Sequence, residues 1–501
     1  MAPPLTIEQN RSYRSFETYR QPDWKTSLLA ILALTVLLRV ILLLFVLHSS
    51  EIQGLFKPDA SGYAAGIRLA SERNTTIGIF TPDTGSYVVP IRGLMHGSFS
   101  TLDGPELERT PGYPLFLMIT GMVGNHPLLS VACQILSSCL TACLVYKIGI
   151  LLFRDEDIAI LCAGLYAVEP TSIIYSIQLR ADTLFTSILL IFVYYLIRYL
   201  LAPSWSSLIW AALALSAAVY VKPVAYYLPL CCVIGLAILP SSMTLTPKLL
   251  RAVTFIAICA VLIAAWQVRN SFETGYSGFT SLSDRQLYFF NAGGVLAQKE
   301  HVDLLTELDK LGGLDPHVYY AVHPEQVNWP ISRQLAFQRN EALRTIRENP
   351  FLYAKLHIKG MLSLVLHPAA SDFLAAIGMS SSQSILGFNK RIVQQGLLPT
   401  AWWAIRNSPG IFIATAALEG ILLIYYGLAL FGVPRLSVYR ATCITLALLS
   451  LYFVVVAGGP AGGARYRCPI MPMVALFAGA GMGALIRSHR HTPMQLRGTN
   501  S

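Results

Sequence analysis

Ten stretches of this chain are apolar over the length, about 20 residues, that a helix needs to cross a bilayer. They run roughly over 27–48, 128–153, 158–176, 183–202, 206–221, 222–240, 250–268, 411–433, 438–458 and 468–487. Lipid offers no hydrogen bonds, so backbone groups there must be paired within the chain, and a helix does this within one segment. The pattern predicts an all-α polytopic membrane protein. Charge agrees: 13% of the 501 residues are Asp, Glu, Lys or Arg, against about 25% in soluble proteins. That excludes a cytosolic enzyme, a DNA-binding protein and a secreted disulfide scaffold. The net charge of +10 reads as topology bias and anionic-substrate chemistry, with no nucleic-acid partner. The nine cysteines lie in apolar runs or at the edge of one. They read as small buried hydrophobes, not as disulfides or zinc ligands.

The first 26 residues are polar and carry Arg11, Arg14, Arg20 and Lys25, which places this tail inside. The first span reads as a signal anchor, being too long for a removable signal peptide. Ten spans form a transmembrane domain over 27–487 and return the tail 488–501 to the inner side. Lys222-Pro223 splits 206–240 into two short runs. The stretch 351–367 holds Lys355, His357 and Lys359 between Pro350 and Pro368. It reads as a helix lying in the membrane interface, with an eleventh span as the alternative. Two long segments, 49–127 and 269–410, then face outside. So do Arg180, Lys222, Arg465 and Arg467, against the positive-inside trend. Binding of an anionic group explains them; lipid-headgroup contact or local ion pairing is the other reading.

Four outer motifs carry residues fit for chemistry. In Lys57-Pro58-Asp59-Ala60-Ser61-Gly62-Tyr63, Asp59 is either a general base for a lipid-borne substrate or the cap of a helix over 60–71. In Glu108-Arg109-Thr110-Pro111-Gly112-Tyr113-Pro114, a rigid turn presents Arg109 as a phosphate ligand or a partner of Asp59. In Gln178-Leu179-Arg180-Ala181-Asp182, Asp182 is a helix cap or a second acid. Glu169, within a span and before Pro170, is costly there unless paired. The stretch Gly458 to Arg467 combines glycines for close backbone approach with Arg465, Tyr466 and Arg467. Arginine suits phosphate because its planar fork donates two bonds. Trp266-Gln267-Val268-Arg269 adds Arg269 at another outer span end. No Walker loop, no GxGxxG after a strand and no HExxH is present, so neither a nucleotide nor a metal is indicated, although Asp59 and Asp182 could in principle share a cation.

PDASGY, RTPGYPLF, EPTSIIYS with RADTLF, VKP, WQVRN and RYRCPIMP, in this order, resemble the GT-C glycosyltransferases. The likeness is to the bacterial branch related to protein O-mannosyltransferases and the lipid A aminoarabinose transferase, over about 27–487. The resemblance implies a GT-C-like bundle, a polyprenyl-phosphate-linked sugar donor and no cofactor. It implies inverting transfer to an acceptor lipid, protein or glycan on the extracytoplasmic side of a bacterial plasma membrane. It makes Asp59 the catalytic base and Asp182 an acid that orients the acceptor or an arginine. Donor phosphate binding falls to Arg109, Lys222, Arg269, Arg465 and Arg467, and donor or sugar contacts to Tyr63, Tyr113 and Tyr466. The usual arginine-proline after the fifth span is Lys222-Pro223 here. The polar stretch 74–104 reads as an insertion covering the acceptor side. Tyr276, Tyr288, Phe289, Phe290, Tyr319, Tyr320 and Trp329 read mainly as local packing, although aromatic faces also stack on sugars.

A transporter or flippase of a lipid-linked or anionic solute is the competing reading, on the strength of charges such as Arg39 and Glu419 within apolar runs. No inverted repeat or paired broken helices support it.

Overall fold

The computed structural model describes residues 24–48, 60–102, 104–238, 244–377, 396–407, 409–433 and 440–490. Asp59 lies outside the described residues. Helices account for nearly all regular structure. The helices used below are α1 (Trp24–His48), α2 (Ala60–Glu72), α3 (Thr84–Met95), α4 (Pro127–Phe153), α5 (Glu156–Ala167), α6 (Pro170–Ile177), α7 (Asp182–Leu201), α8 (Trp205–Val221), α9 (Leu228–Ile238), α10 (Leu245–Thr274), α11 (Ile331–Glu348), α12 (Pro350–Leu366), α13 (Pro409–Gly432), α14 (Arg440–Val456) and α15 (Met471–Arg490). A two-stranded antiparallel hairpin pairs β1 (Ser100–Thr101) with β2 (Gly104–Pro105).

Six of these helices (α1, α4, α7, α10, α13 and α15) are long and apolar enough to cross a membrane. Helices α5 and α6 pass that test together, as one span bent by 53°. The apolar helices at 205–221, 223–236 and 441–456 are shorter. The chain is a multi-pass membrane protein. Helix α12 occupies the stretch expected to lie in the interface, and it is not among the six.

The bend between α5 and α6 has a local cause. Pro170 cannot donate a backbone N–H, and Glu169 caps α6 by accepting from the N–H groups of Thr171 and Ser172, at 2.9 and 2.6 Å. The break frees carbonyls of α5. Arg39, fully buried on α1, donates to the Ala167 carbonyl at 3.1 Å and to the hydroxyls of Ser138 and Ser172, both at 3.0 Å. The charge of Arg39 within an apolar run is therefore spent on repairing a helix break.

Helix α7 is among the most buried spans: Phe185, Leu189, Phe192 and Val193 are almost wholly buried. Part of the stretch 74–104, expected as a cover, packs into this core. Ile79 and Phe80 are fully buried, and Gly66 of α2 sits against the Phe80 ring.

Candidate active site

Two segments far apart in sequence are joined first. The Leu179 N–H donates to the Ile79 carbonyl at 2.8 Å, and the Thr84 hydroxyl donates to the Leu179 carbonyl at 3.0 Å. This sets Asp83, at the start of α3, beside Arg180 and Asp182, at the start of α7. Asp182 is the first residue of its helix, and Ala181 holds the cap position without a side-chain cap. The carboxylate therefore has other partners. It accepts from Arg180 Nε at 3.0 Å and from Lys222 Nζ at 2.5 Å, and its side chain is only 4% exposed.

Asp83 forms a second triplet. Its Oδ1 accepts from Arg109 Nη2 at 2.8 Å and its Oδ2 from Arg465 Nη1 at 2.7 Å. Burial alone would raise this carboxyl's pKa, but the guanidiniums of Arg465 and Arg109 overcome it and hold it well below the usual carboxylate range. Burial would likewise lower Arg109, yet Tyr87, Asp83 and Glu108 raise it, so it stays charged. Arg109 also donates from Nε to the Ser86 hydroxyl at 2.8 Å and lies 4.5 Å from the centre of the Tyr87 ring. Tyr466 joins the two triplets: Lys222 Nζ stands 5.2 Å from its ring centre and the Arg465 guanidinium 4.8 Å.

Each cation has a positioning device. The turn before Arg109 is closed by Glu106, which accepts from the N–H groups of Glu108 and Arg109 at 2.6 and 2.8 Å. Gly112 lets this turn rest on the end of α8: an added Cβ would lie 2.6 Å from the Tyr220 carbonyl oxygen. The glycines before Arg465 pack on α12, where Gly360 touches the backbone of Gly459 and a Cβ on Gly462 would lie 2.5 Å from the Gly360 carbonyl. The close backbone approach expected of this stretch is thus to a helix.

Arg109, Lys222, Arg465 and Tyr466 line a cavity of about 500 Å³, as do Tyr276, Asp284, Asn291 and Arg339. Within the two triplets, four cations face two carboxylates, and Glu108, 3.6 Å from Arg109 Nη2, adds a third. The excess is positive, and Arg465 Nε and Gln178 Nε2 are buried donors with no partner among the described residues. Uncompensated buried charge costs several kcal/mol, so the arrangement suits an anion.

Other expected residues are placed elsewhere. Arg467, 1% exposed, donates to the carbonyls of Leu364, Val365 and His367 at 2.8–3.0 Å. Arg269 donates to the carbonyls of Glu106 and Phe99 and ties the segment after α3 to α10. Tyr113 is buried, with its hydroxyl on Gln134 Oε1 at 2.5 Å, and Tyr63 packs beside Phe80. Of the aromatics in the second loop, Tyr288, Phe289 and Tyr319 form a packed cluster, whereas Tyr276 and Phe290 reach the cavity. Asp83 was not among the expected residues. Its signal is a repeat: Pro82-Asp83-Thr84-Gly85-Ser86-Tyr87 echoes Pro58-Asp59-Ala60-Ser61-Gly62-Tyr63, with an aspartate four residues before a tyrosine in both.

Residues 108–266, which contain Arg109, Asp182 and Lys222, match the family model described as dolichyl-phosphate-mannose-protein mannosyltransferase. The likeness to GT-C glycosyltransferases is borne out. Within this GT-C-like segment lie the RTPGYPLF turn, the kinked span and the Lys222-Pro223 break. Comparison with curated proteins returns no significant match. Among solved structures, the oligosaccharyltransferase AglB from Archaeoglobus fulgidus, in complex with an inhibitory peptide and a dolichol-phosphate, aligns at 13% identity with a TM-score of 0.49. The alignment covers 92% of this chain and 50% of that one, so the chain spans half that protein's length.

Proposed function

We propose that the chain is an inverting glycosyltransferase that moves a sugar from a polyprenyl-phosphate donor to an acceptor hydroxyl on the extracytoplasmic face. The observation that carries this is the cation excess around Asp83 and Asp182 at a cavity wall. A sugar-linked lipid phosphate carries one negative charge. When the acceptor oxygen bonds to the anomeric carbon, the bond from that carbon to the phosphate oxygen breaks. The electron pair leaves on a phosphate monoester of charge about −1.5 to −2 at pH 7. Arg109, Lys222 and Arg465 are fixed before the reaction where that added charge would develop, which is the condition for electrostatic stabilisation.

The proton of the acceptor hydroxyl needs a base. Both oxygens of Asp83 are engaged by arginines and its pKa is depressed, so it is a weak proton acceptor. Asp59 keeps the role of base; Asp83 and Asp182 position the cations. Arg269 and Arg467 act through the loops they fasten. The acceptor is a lipid, a protein or a glycan bearing a hydroxyl.

The ten-span bundle fits the same reading. The bent α5–α6 pair and the short apolar helices near α8, α9 and α14 join the six long spans. The chain then starts and ends on the inner side of a plasma membrane, with the cavity outside.

Purified protein reconstituted with polyprenyl phosphates bearing mannose, galactose or arabinose should release or transfer one of these sugars. Asp59→Asn should lower turnover by about 100-fold or more, within the range for general-base loss, and still bind donor. Near-normal turnover by Asp59→Asn would remove it as the base. Intact passage of the lipid-linked sugar across the bilayer, without release, would replace the enzyme by a transporter.

A further inference from the structure

The cavity lining includes a second, chemically distinct set of residues. Beyond the cations the cavity is lined by Asp284, Gln286, Asn291 and Arg339, with Tyr276 and Phe290. Residues Gln286–Ala292 form a π-helical turn, an irregularity frequent at functional sites. Asp284 is only 6% exposed. Its Oδ2 accepts from the Tyr276 hydroxyl at 2.7 Å. Its Oδ1 accepts no hydrogen bond among the described residues, and Arg339 stands 3.7 Å from it, beyond hydrogen-bond reach. The Gln286 and Asn291 amides make no hydrogen bond among the described residues. These residues therefore present a carboxylate acceptor, a guanidinium and two amides, all with capacity to spare, beside aromatic rings. Such a set matches vicinal hydroxyls on a ring. One hydroxyl donates to the carboxylate, its neighbour accepts from Arg339 or an amide, and the ring face meets an aromatic side chain.

We propose that Asp284, Arg339, Gln286 and Asn291 form the subsite that reads the hydroxyls of the transferred sugar. This rests on the donor reading above. Covalent attachment supplies the geometry: if the phosphate sits on Arg109, Lys222 and Arg465, the lipid tail must leave toward the membrane. The sugar is then directed into the remaining volume of the same cavity. Asp284 and its partners are positioning and specificity residues, and the bond-breaking step does not pass through them.

The test measures binding, so it does not depend on a known acceptor. Full-length protein in lipid nanodiscs is titrated with bare polyprenyl phosphate and with polyprenyl phosphates bearing mannose, galactose or arabinose. Wild type should bind at least one sugar-bearing lipid about tenfold or more tighter than the bare lipid. Asp284→Asn, which keeps an acceptor for Tyr276, should lose most of that increment. Asn291→Ala should lose it in part, and both variants should bind the bare lipid as wild type does. Arg465→Gln should weaken bare and sugar-bearing lipids alike. Wild type that prefers none of the three sugars, or an increment that survives both Asp284→Asn and Asn291→Ala, overturns the subsite. So does an effect of these substitutions confined to the apparent affinity for a glycan acceptor. Failure of bare polyprenyl phosphate to bind wild type would instead strike the donor reading itself.

Discussion

Asp83 accepts one arginine on each carboxylate oxygen, so its charge is held and a proton on either oxygen is disfavoured. The roles proposed for Asp83 and Asp59 differ in a way mutation can read. Asp83→Asn keeps the shape but removes the charge that holds Arg109 and Arg465 together. Hydrogen bonds to charged groups contribute about 1.5–3 kcal/mol, so donor affinity should fall by about 10- to 100-fold. Asp59→Asn should leave that affinity near wild type and remove turnover, and equal binding losses in the two variants would erase the distinction. The depressed pKa of Asp83 also fixes a pH dependence. An unfolded aspartate titrates near 3.9, and the folded value lies below the usual range. Stabilisation by ionised Asp83 is therefore complete above the unfolded value and is lost only as pH falls through the folded one. The difference in thermal stability between wild type and Asp83→Asn should be constant from pH 7 to 5 and shrink below about pH 4. A difference that already narrows between pH 7 and 5 would show that the arginine pairs are not formed.

At the scale of elements, the site depends on close backbone contacts between segments that contribute no catalytic group. A Cβ at Gly112 would meet the Tyr220 carbonyl carbon as well as its oxygen, at 2.8 and 2.6 Å. These are backbone atoms, so relief requires the end of α8, and Lys222 with it, to move. Gly112→Ala should cost about 1–3 kcal/mol, the usual range for overpacking, and weaken donor binding. Gly360→Ala should destabilise at least as much, because it wedges the terminal loop off α12. Gly463, in that same loop, has nothing within 4 Å of an added Cβ; Gly463→Ala should melt with wild type. A melting curve for each of the three decides this, and a large loss at Gly463 would mean that the loop is packed differently. The sequence announces the elements that are long and apolar, such as α4, α7 and α15, because their period and length are local properties. It announces the Gly-rich terminal loop too, but not its partner α12, since that contact joins residues about a hundred positions apart. Asp83 was hidden for the same reason. Nothing local in a polar stretch rich in Gly, Thr and Ser says that Ile79 will accept a hydrogen bond from Leu179 and draw the aspartate into the bundle. Arg467 was misleading in the opposite sense: its neighbours resemble a phosphate motif, yet its Nη1 is taken up by the carbonyls around residue 365.

Among the described residues, two groups of ion pairs mark the two ends of α4. One holds the Asp83 and Asp182 triplets. The other holds the pair of Asp155, in the turn from α4 to α5, with Arg487, near the end of α15. Gln134, near the start of α4, donates to the Gln178 carbonyl at 2.7 Å, so α4 begins beside the site and ends at the Asp155 turn. A bilayer around the bundle must therefore place these ends on opposite sides. The proposed topology puts the Asp155 end inside, with the basic N-terminal tail, as the positive-inside trend requires. Two exposed positions report on this without touching the core: Leu102, 90% exposed at the tip of the β1–β2 hairpin, and Glu156, exposed at the start of α5. In a Cys231→Ala background, which removes the exposed native thiol, Leu102→Cys should react with a membrane-impermeant maleimide in intact cells. Glu156→Cys should react only after permeabilisation. The reverse pattern would place the cavity on the cytoplasmic side, where an extracytoplasmic acceptor could not reach it. Reaction of both in intact cells would mean that α4 does not carry the chain across, and the two charged ends would then need an explanation other than a membrane between them.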